Sequence, residues 1–227
     1  WESWQRGYDF YDEGILVWLD VDTKLDELSK GKRSLDDFAR GFFGGYAGQR
    51  EARRYGFDEV VGALGRVQAH DWADYLRERI DSHGPGAPLD GLARAGWKLV
   101  YTDTPNLAIA DAAGEGEYDD FRFSLGLSIA SDGGKVSEVL WNGPAYRAGI
   151  ARDMQVVAVN DIAYKAERLQ RAITAAKSGK QAIELLLRQG ESYRSMRIDY
   201  HEGLRYPHLE RIAGTSDRLQ QLFAPRR

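Results

Sequence analysis

The 227-residue chain contains no cysteine, which excludes disulfides, thiolate nucleophiles and thiolate metal sites from the start. That absence leaves the compartment open, because a chain without thiols is at home in reducing and oxidising surroundings alike. No apolar run approaches the roughly 20 residues of a helical membrane span, and the opening Trp1-Glu-Ser-Trp-Gln-Arg6 is not a signal peptide. Excess positive charge is missing too. With 31 Lys and Arg against 35 Asp and Glu, the net charge of −4 offers no footprint for a polyanion, so nucleic acid is not an expected partner. There is no phosphate-cradling glycine loop, no internal repeat and no low-complexity tract. An initiating Met is also absent, and the expectation is a fragment or a processed product.

The length that remains suits two ordinary domains, each able to bury a core. The first stretch reads as helical. Over Tyr11–Leu28 the apolar residues Ile15, Leu16, Trp18, Leu19, Val21 and Leu25 keep close to a 3.6 period, which predicts a mostly buried helix. Ser34-Leu-Asp-Asp37 is a capping-box-like start, followed by Phe38, Phe42 and Phe43 and stopped by Gly44-Gly45. Phe57–Val67, His70–Ile80 and Leu89–Ala95 predict further short helices, and Trp97–Tyr101 a strand. The acidic, small Gly114-Glu-Gly-Glu-Tyr-Asp-Asp120 reads as a linker. The expected domains are therefore 1–105, helical; 106–120, linker; 121–200, β-rich with a helix at Ala166–Lys177 and a hairpin at Gln189–Ser192; and 201–227, a tail ending in a helix near Ser216.

The β-rich part is organised around Phe121-Arg-Phe-Ser-Leu-Gly-Leu-Ser-Ile129. Gly126 permits a backbone conformation closed to residues with a Cβ, so successive N–H groups from Leu125 onward can converge into a nest suited to a carboxylate. Leu127, Ser128 and Ile129 then read as an edge strand to which an extended peptide could add. Together with Lys135–Leu140, Asn142-Gly-Pro-Ala-Tyr-Arg-Ala-Gly149 and Asp153–Asn160, this order resembles the PDZ domain. Counting back from Ile183 places Leu169, Ile173 and Ala176 on the helix face toward the Leu127 strand. Two readings stand for them: the wall of a peptide groove, or core. The resemblance implies a C-terminal peptide as partner, and it is equally compatible with a purely structural brace.

Tyr8-Asp-Phe-Tyr-Asp-Glu-Gly14, Ile15–Asp20, Ser34–Phe38, Asp71-Trp72, Pro88–Leu92, Gly96–Tyr101 and Tyr206-Pro207, in this order, resemble the glycyl aminopeptidase family of zinc metallopeptidases. The fold class this implies is α+β: the helical C-terminal part of a metallopeptidase catalytic region, then a PDZ-like β-barrel or sandwich with two helices. In that family a Tyr-x-x-Gly step opens a helix beside the metal, and its hydroxyl donates to the substrate oxyanion. Here that tyrosine is Tyr11, with Gly14 closing the step, Tyr8 as the competing candidate and Glu13 where many relatives carry Lys. A ring merely packed at a helix start is the bland alternative.

The resemblance implies zinc in the full-length protein, with its His-Glu-x-x-His helix and third glutamate ligand upstream of Trp1, so the expected metal ligands within this chain are none. His70, His83, His201 and His208 are the only histidines, and His201-Glu-Gly-Leu-Arg205 puts a cation where a second ligand would stand. Alone, the chain is expected to hydrolyse nothing. Ser29-Lys-Gly-Lys32 matches a Ser/Lys protease motif by letter only, in a solvated turn. Asp20-Val-Asp22 lacks the rest of a calcium loop. Two functions stay open: the C-terminal part of a zinc aminopeptidase cleaving small N-terminal residues, glycine preferred, with a PDZ module that binds or positions peptides; or a non-catalytic peptide-binding scaffold. The partners implied are peptide substrates and the missing N-terminal part. The bacterial periplasm or envelope is the location the resemblance implies, with the cytoplasm as alternative.

Overall fold

Apolar residues recurring every three to four positions, Val17, Val21, Leu25 and Leu28, fasten helix α1 (Asp9–Ser29) into the first core. The structure, a computed structural model, describes residues 9–44, 54–82, 86–114, 118–179 and 181–225. Helix α2 (Leu35–Phe43) starts where Asp37 accepts the Ser34 N–H at 3.0 Å, and that bond holds the Asp37 carboxyl below its usual range. Helix α3 (Phe57–Val67) begins the same way, with Glu59 accepting the Gly56 N–H at 2.9 Å. Asp71 caps α4 (Trp72–Ile80) by accepting the Asp74 N–H. Phe38, Phe42, Leu64, Trp72 and Leu76 close this core around Val21 and Leu25.

Helix α5 (Asp90–Arg94) crosses α1 at backbone contact, because a Cβ on Gly91 would meet the Asp20 backbone at 2.5 Å. Only glycine fits there. The crossing is locked by charge: the fully buried Asp20 accepts the Tyr75 hydroxyl at 2.6 Å and bonds to Arg79 Nε and Arg94 Nη2. Asp22, two residues on and so on another face of α1, accepts the Leu35 N–H at 2.8 Å and Arg218 Nη2 at 3.1 Å.

The chain forms two units, one of Arg6–Lys98 with Glu210–Arg227, the other of Leu99–Leu209. It leaves the helical unit within β1 (Trp97–Thr102) and returns within β9 (Tyr206–Arg211), the two strands pairing with each other. The division thus falls at 98/99 and 209/210. Residues 106–120, read from the sequence as a linker, carry helix α6 (Leu107–Gly114) and strand β2 (Tyr118–Phe121). The alanine-rich Leu-Ala-Ile-Ala-Asp-Ala-Ala run explains the helix. The acidic, small residues that suggested a linker are 114–120, of which 115–117 lie outside the described residues. The tail residues also belong to the helical unit, where α9 (Arg218–Phe223) is capped by Asp217 and tied to Asp22.

In the β-rich unit, β2, β3 (Leu127–Ala130) and β4 (Val136–Val139) form one antiparallel sheet in that order. Helix α7 (Pro144–Arg147) follows. Strands β5 (Gln155–Val159), β6 (Ile162–Ala163), β7 (Ile183–Gln189) and β8 (Ser192–Ile198) form a second sheet, ordered β6-β5-β7-β8, with α8 (Ala166–Ser178) between β6 and β7 in the chain. The architecture is mixed α and β with open antiparallel sheets. None of the sheets among the described residues closes into a barrel; within 121–200 the described helices are α7 and α8, while α6 lies in the stretch read as linker.

Candidate functional site

In the helical unit, Tyr11 stands in the first turn of α1, 63% exposed as a residue, with its ring 4.2 Å from that of Phe10, centroid to centroid. A core ring at this position would be buried; a hydroxyl that meets an incoming substrate has to be reachable. Ile15 and Trp18, four and seven residues on, are exposed as well, so the first turns of α1 present a continuous apolar stripe. Tyr8, the competing candidate, lies outside the described residues.

The remaining polar candidates are absorbed locally. The Ser29 hydroxyl accepts the Lys32 and Arg33 N–H groups at 3.1 and 2.8 Å, closing the end of α1 rather than facing a lysine amine. His201 sets Nδ1 2.8 Å from the Ala176 carbonyl and Nε2 2.8 Å from Asp199, and both acceptors push its pKa up. Arg205 pairs with Glu202 at 2.6 Å. Among the described residues no three His, Asp or Glu side chains gather as a metal site. The resemblance places the ligands of its zinc upstream of Trp1, and the described residues supply no set that would replace them.

The groove residues converge in the β-rich unit. Leu125, Leu127, Ile129, Leu169 and Ile173 are fully buried and Ala176 nearly so, all in one cluster with Phe121. The expectation of an edge strand at Leu127–Ile129 is overturned. Strand β3 is central, pairing with β2 on one side, Phe121 opposite Leu127 and Asp119 opposite Ile129, and with β4 on the other, Leu127 opposite Val139. Neither edge has free ladder positions for an added peptide.

The converging N–H groups are present, and their acceptor is internal. Ser124, Leu125 and Gly126 N–H all donate to the Phe121 carbonyl, at 3.2, 2.9 and 3.1 Å. Gly126 sits at φ +75°, and a Cβ on it would press on the Gly143 Cα at 3.2 Å. The loop is pinned from outside as Arg205 N–H donates to Ser124 Oγ at 3.1 Å.

Opposed residues of an antiparallel pair share a face, so Phe121 and Asp119 stand with Leu127 and Ile129, while Asp120 stands with Ser128. On the first face the Tyr164 hydroxyl, two residues before α8, donates to Asp119 at 2.8 Å. Burial lifts the Asp119 carboxyl above its usual range despite that bond, and burial together with the carboxylate drives the Tyr164 phenol far upward. On the second face Asp120 holds Arg122 through both carboxylate oxygens, and the buried Ser128 hydroxyl has no hydrogen-bond partner among the described residues. Sequence reasoning missed Asp119, Phe121 and Tyr164. The signal available was an apolar residue directly before the glycine-containing turn, masked by the acidic pair beside it.

No protein-family model matches the chain, and no curated protein aligns with it. Among solved structures the chain is similar to the crystal structure of an aminopeptidase N family protein from Idiomarina loihiensis, with a TM-score of 0.67 and 14% identity over 95% of this chain and 36% of that one. It also matches the HtrA3 PDZ domain bound to a phage-derived ligand, with a TM-score of 0.26 and 18% identity over 51% of this chain and 91% of that domain. This chain therefore spans little more than a third of the Idiomarina protein's length, and what the likeness shows is that it has the fold of that part of an aminopeptidase N family protein.

Proposed function

We propose that the chain is the C-terminal part of a zinc-dependent aminopeptidase that removes small N-terminal residues, glycine above all. The observation that carries this reading is the fold likeness to an aminopeptidase N family protein over 95% of the chain. The exposed Tyr11, three positions before an open-sided Gly14 in the helix-opening step, supports it. The metal, bound upstream, would supply Lewis-acid polarisation of the scissile carbonyl and an activated water. Tyr11 would donate a hydrogen bond from its phenolic O–H to the oxygen that gains charge as the carbonyl becomes tetrahedral. One such donor is worth about 3 kcal/mol, because it meets charge that exists only in the transition state. The scaffold alternative, with an open groove as the working surface, meets a groove edge already taken by β2.

The test uses the product of the complete gene: intact mass, zinc content and turnover of glycyl-p-nitroanilide, for wild type and Tyr11→Phe. The expected result is a longer zinc-bearing parent whose kcat falls about 10²- to 10³-fold in the variant, with metal content unchanged. A natural product equal to this chain, metal-free and inactive, overturns the enzyme reading. An unchanged kcat in the variant overturns the role of Tyr11.

A further inference from the structure

Strand β2 has the attributes of a bound peptide end. It runs antiparallel to β3, as an added strand would. Its last residue, Phe121, places its carbonyl oxygen on three converging N–H groups, where a terminal carboxylate would sit, and its ring is 2% exposed within the cluster of Leu127, Leu169 and Ile173. Two residues earlier, on the same face, Asp119 accepts the Tyr164 hydroxyl at the start of α8. The intervening Asp120 faces away and shapes the turn through Arg122, whose N–H it accepts at 2.9 Å. Carbonyl, apolar ring and polar side chain thus fill three subsites that lie in order along one groove.

We propose that Tyr118–Phe121 is a tethered internal ligand that closes the groove between β3 and α8, and that the groove selects peptide C-termini with a bulky apolar last residue and an acidic residue two positions before it. The tether is the five-residue turn Arg122–Gly126, so β2 competes at an effective concentration on the order of millimolar or above. A free peptide is therefore excluded until β2 lifts. Once it enters, it brings a charged carboxylate to N–H groups now served by a neutral carbonyl, a stronger hydrogen bond in the same geometry. The gate and its specificity do not depend on the peptidase reading, and their test involves no catalysis.

The test is binding of an N-terminally fluorescein-labelled Ala-Tyr-Asp-Asp-Phe peptide with a free carboxylate to the full chain, read by polarisation, beside its C-terminal amide. Phe121→Ala empties the apolar subsite; Asp119→Ala weakens the strand without opening the core, and carries the test if the first variant does not fold. Either variant is expected to bind the free acid at least about tenfold more tightly than wild type, with no gain for the amide. Because the chain has no cysteine, Tyr118→Cys with Ala130→Cys, opposite each other across β2 and β3, gives a single possible disulfide. Added to Asp119→Ala, it is expected to abolish the gain when oxidised and restore it on reduction. Folded variants that bind no better than wild type, a wild type that already binds as tightly, an amide that binds as well as the acid, or a staple without effect would each overturn the proposal.

Discussion

The two units bury polar groups in contrasting ways. In the helical unit the buried carboxylates bind partners far along the chain: Asp20 reaches Tyr75, Arg79 and Arg94, and Asp22 reaches Arg218. In the β-rich unit the buried Asp120 holds Arg122, two residues away, and long-range joining rests on strand ladders and one apolar cluster, with the Tyr164–Asp119 and Arg205–Ser124 hydrogen bonds beside them rather than buried ion pairs. Ladders fix distance and register by themselves. Short helices have no such ruler, and a forked guanidinium on a carboxylate supplies orientation that apolar side chains alone would leave loose.

The sharpest way to break this contrast is Asp20→Asn. Arg79 and Arg94, with side chains 11% and 25% exposed, would keep their charges and lose their shared counter-ion. A loss of about 3–5 kcal/mol is expected for the helical unit, the range found when one partner of a buried pair is removed. Urea unfolding followed by tryptophan fluorescence, which sees Trp18 and Trp72 in this unit, checks it. A loss below about 1 kcal/mol would show that the lock is ornamental and that packing orients the helices.

The same contrast explains what the sequence could reveal. Elements defined by local rules were legible: Asp37 three residues after Ser34 marked the start of α2, and the alternation around Ile183–Gln189 marked β7. Asp20 looked like half of a calcium loop because its three partners lie 55 to 74 residues away, and no local pattern points to them. The groove was half legible. Gly126 and the apolar positions 125, 127 and 129 announced a nest and a strand, yet whether that strand is an edge depends on which segment folds beside it. That segment, β2, has four residues, two of them acidic, and falls below what strand propensity can flag. Tyr11 was legible only as a motif letter; its exposure is a property of the fold.

A smaller effect separates the faces of the β-rich sheet. Ser128 is 3% exposed, and its hydroxyl is unpaired between Asp120 and Glu138 in the register. Ser128→Ala removes a desolvated group that gains nothing in the folded state, so the variant is expected to be neutral or more stable by up to about 1 kcal/mol. Thermal unfolding of the full chain measures it. Destabilisation would mean that the hydroxyl is satisfied in solution, and the contrast with the fully partnered helical carboxylates would weaken.

The smallest expected effect is a difference in which side of neutral pH each unit feels. Asp37 at the start of α2 has its pKa lowered from 3.8, first by the Ser34 N–H, against an opposing effect of burial, with Arg40 and Arg33 lowering it further. Its contribution is in place above 3.8 and is lost as pH falls through the lowered value. His201 in the β-rich unit is raised from 6.5, first by the Ala176 carbonyl at the end of α8 and then by Asp199. Its contribution is complete below 6.5 and is lost as pH rises through the raised value, since a neutral imidazole cannot donate to both oxygens. Side-chain NMR titration should place Asp37 below and His201 above their ordinary values, and His201→Ala should remove the alkaline loss around Ala176 while leaving the acid one near Ser34. A His201 that titrates at 6.5 or lower would show that its two acceptors do not hold the charged form, and α8 would then owe its C-terminal anchoring to Ile173 and Ala176 in the apolar cluster alone.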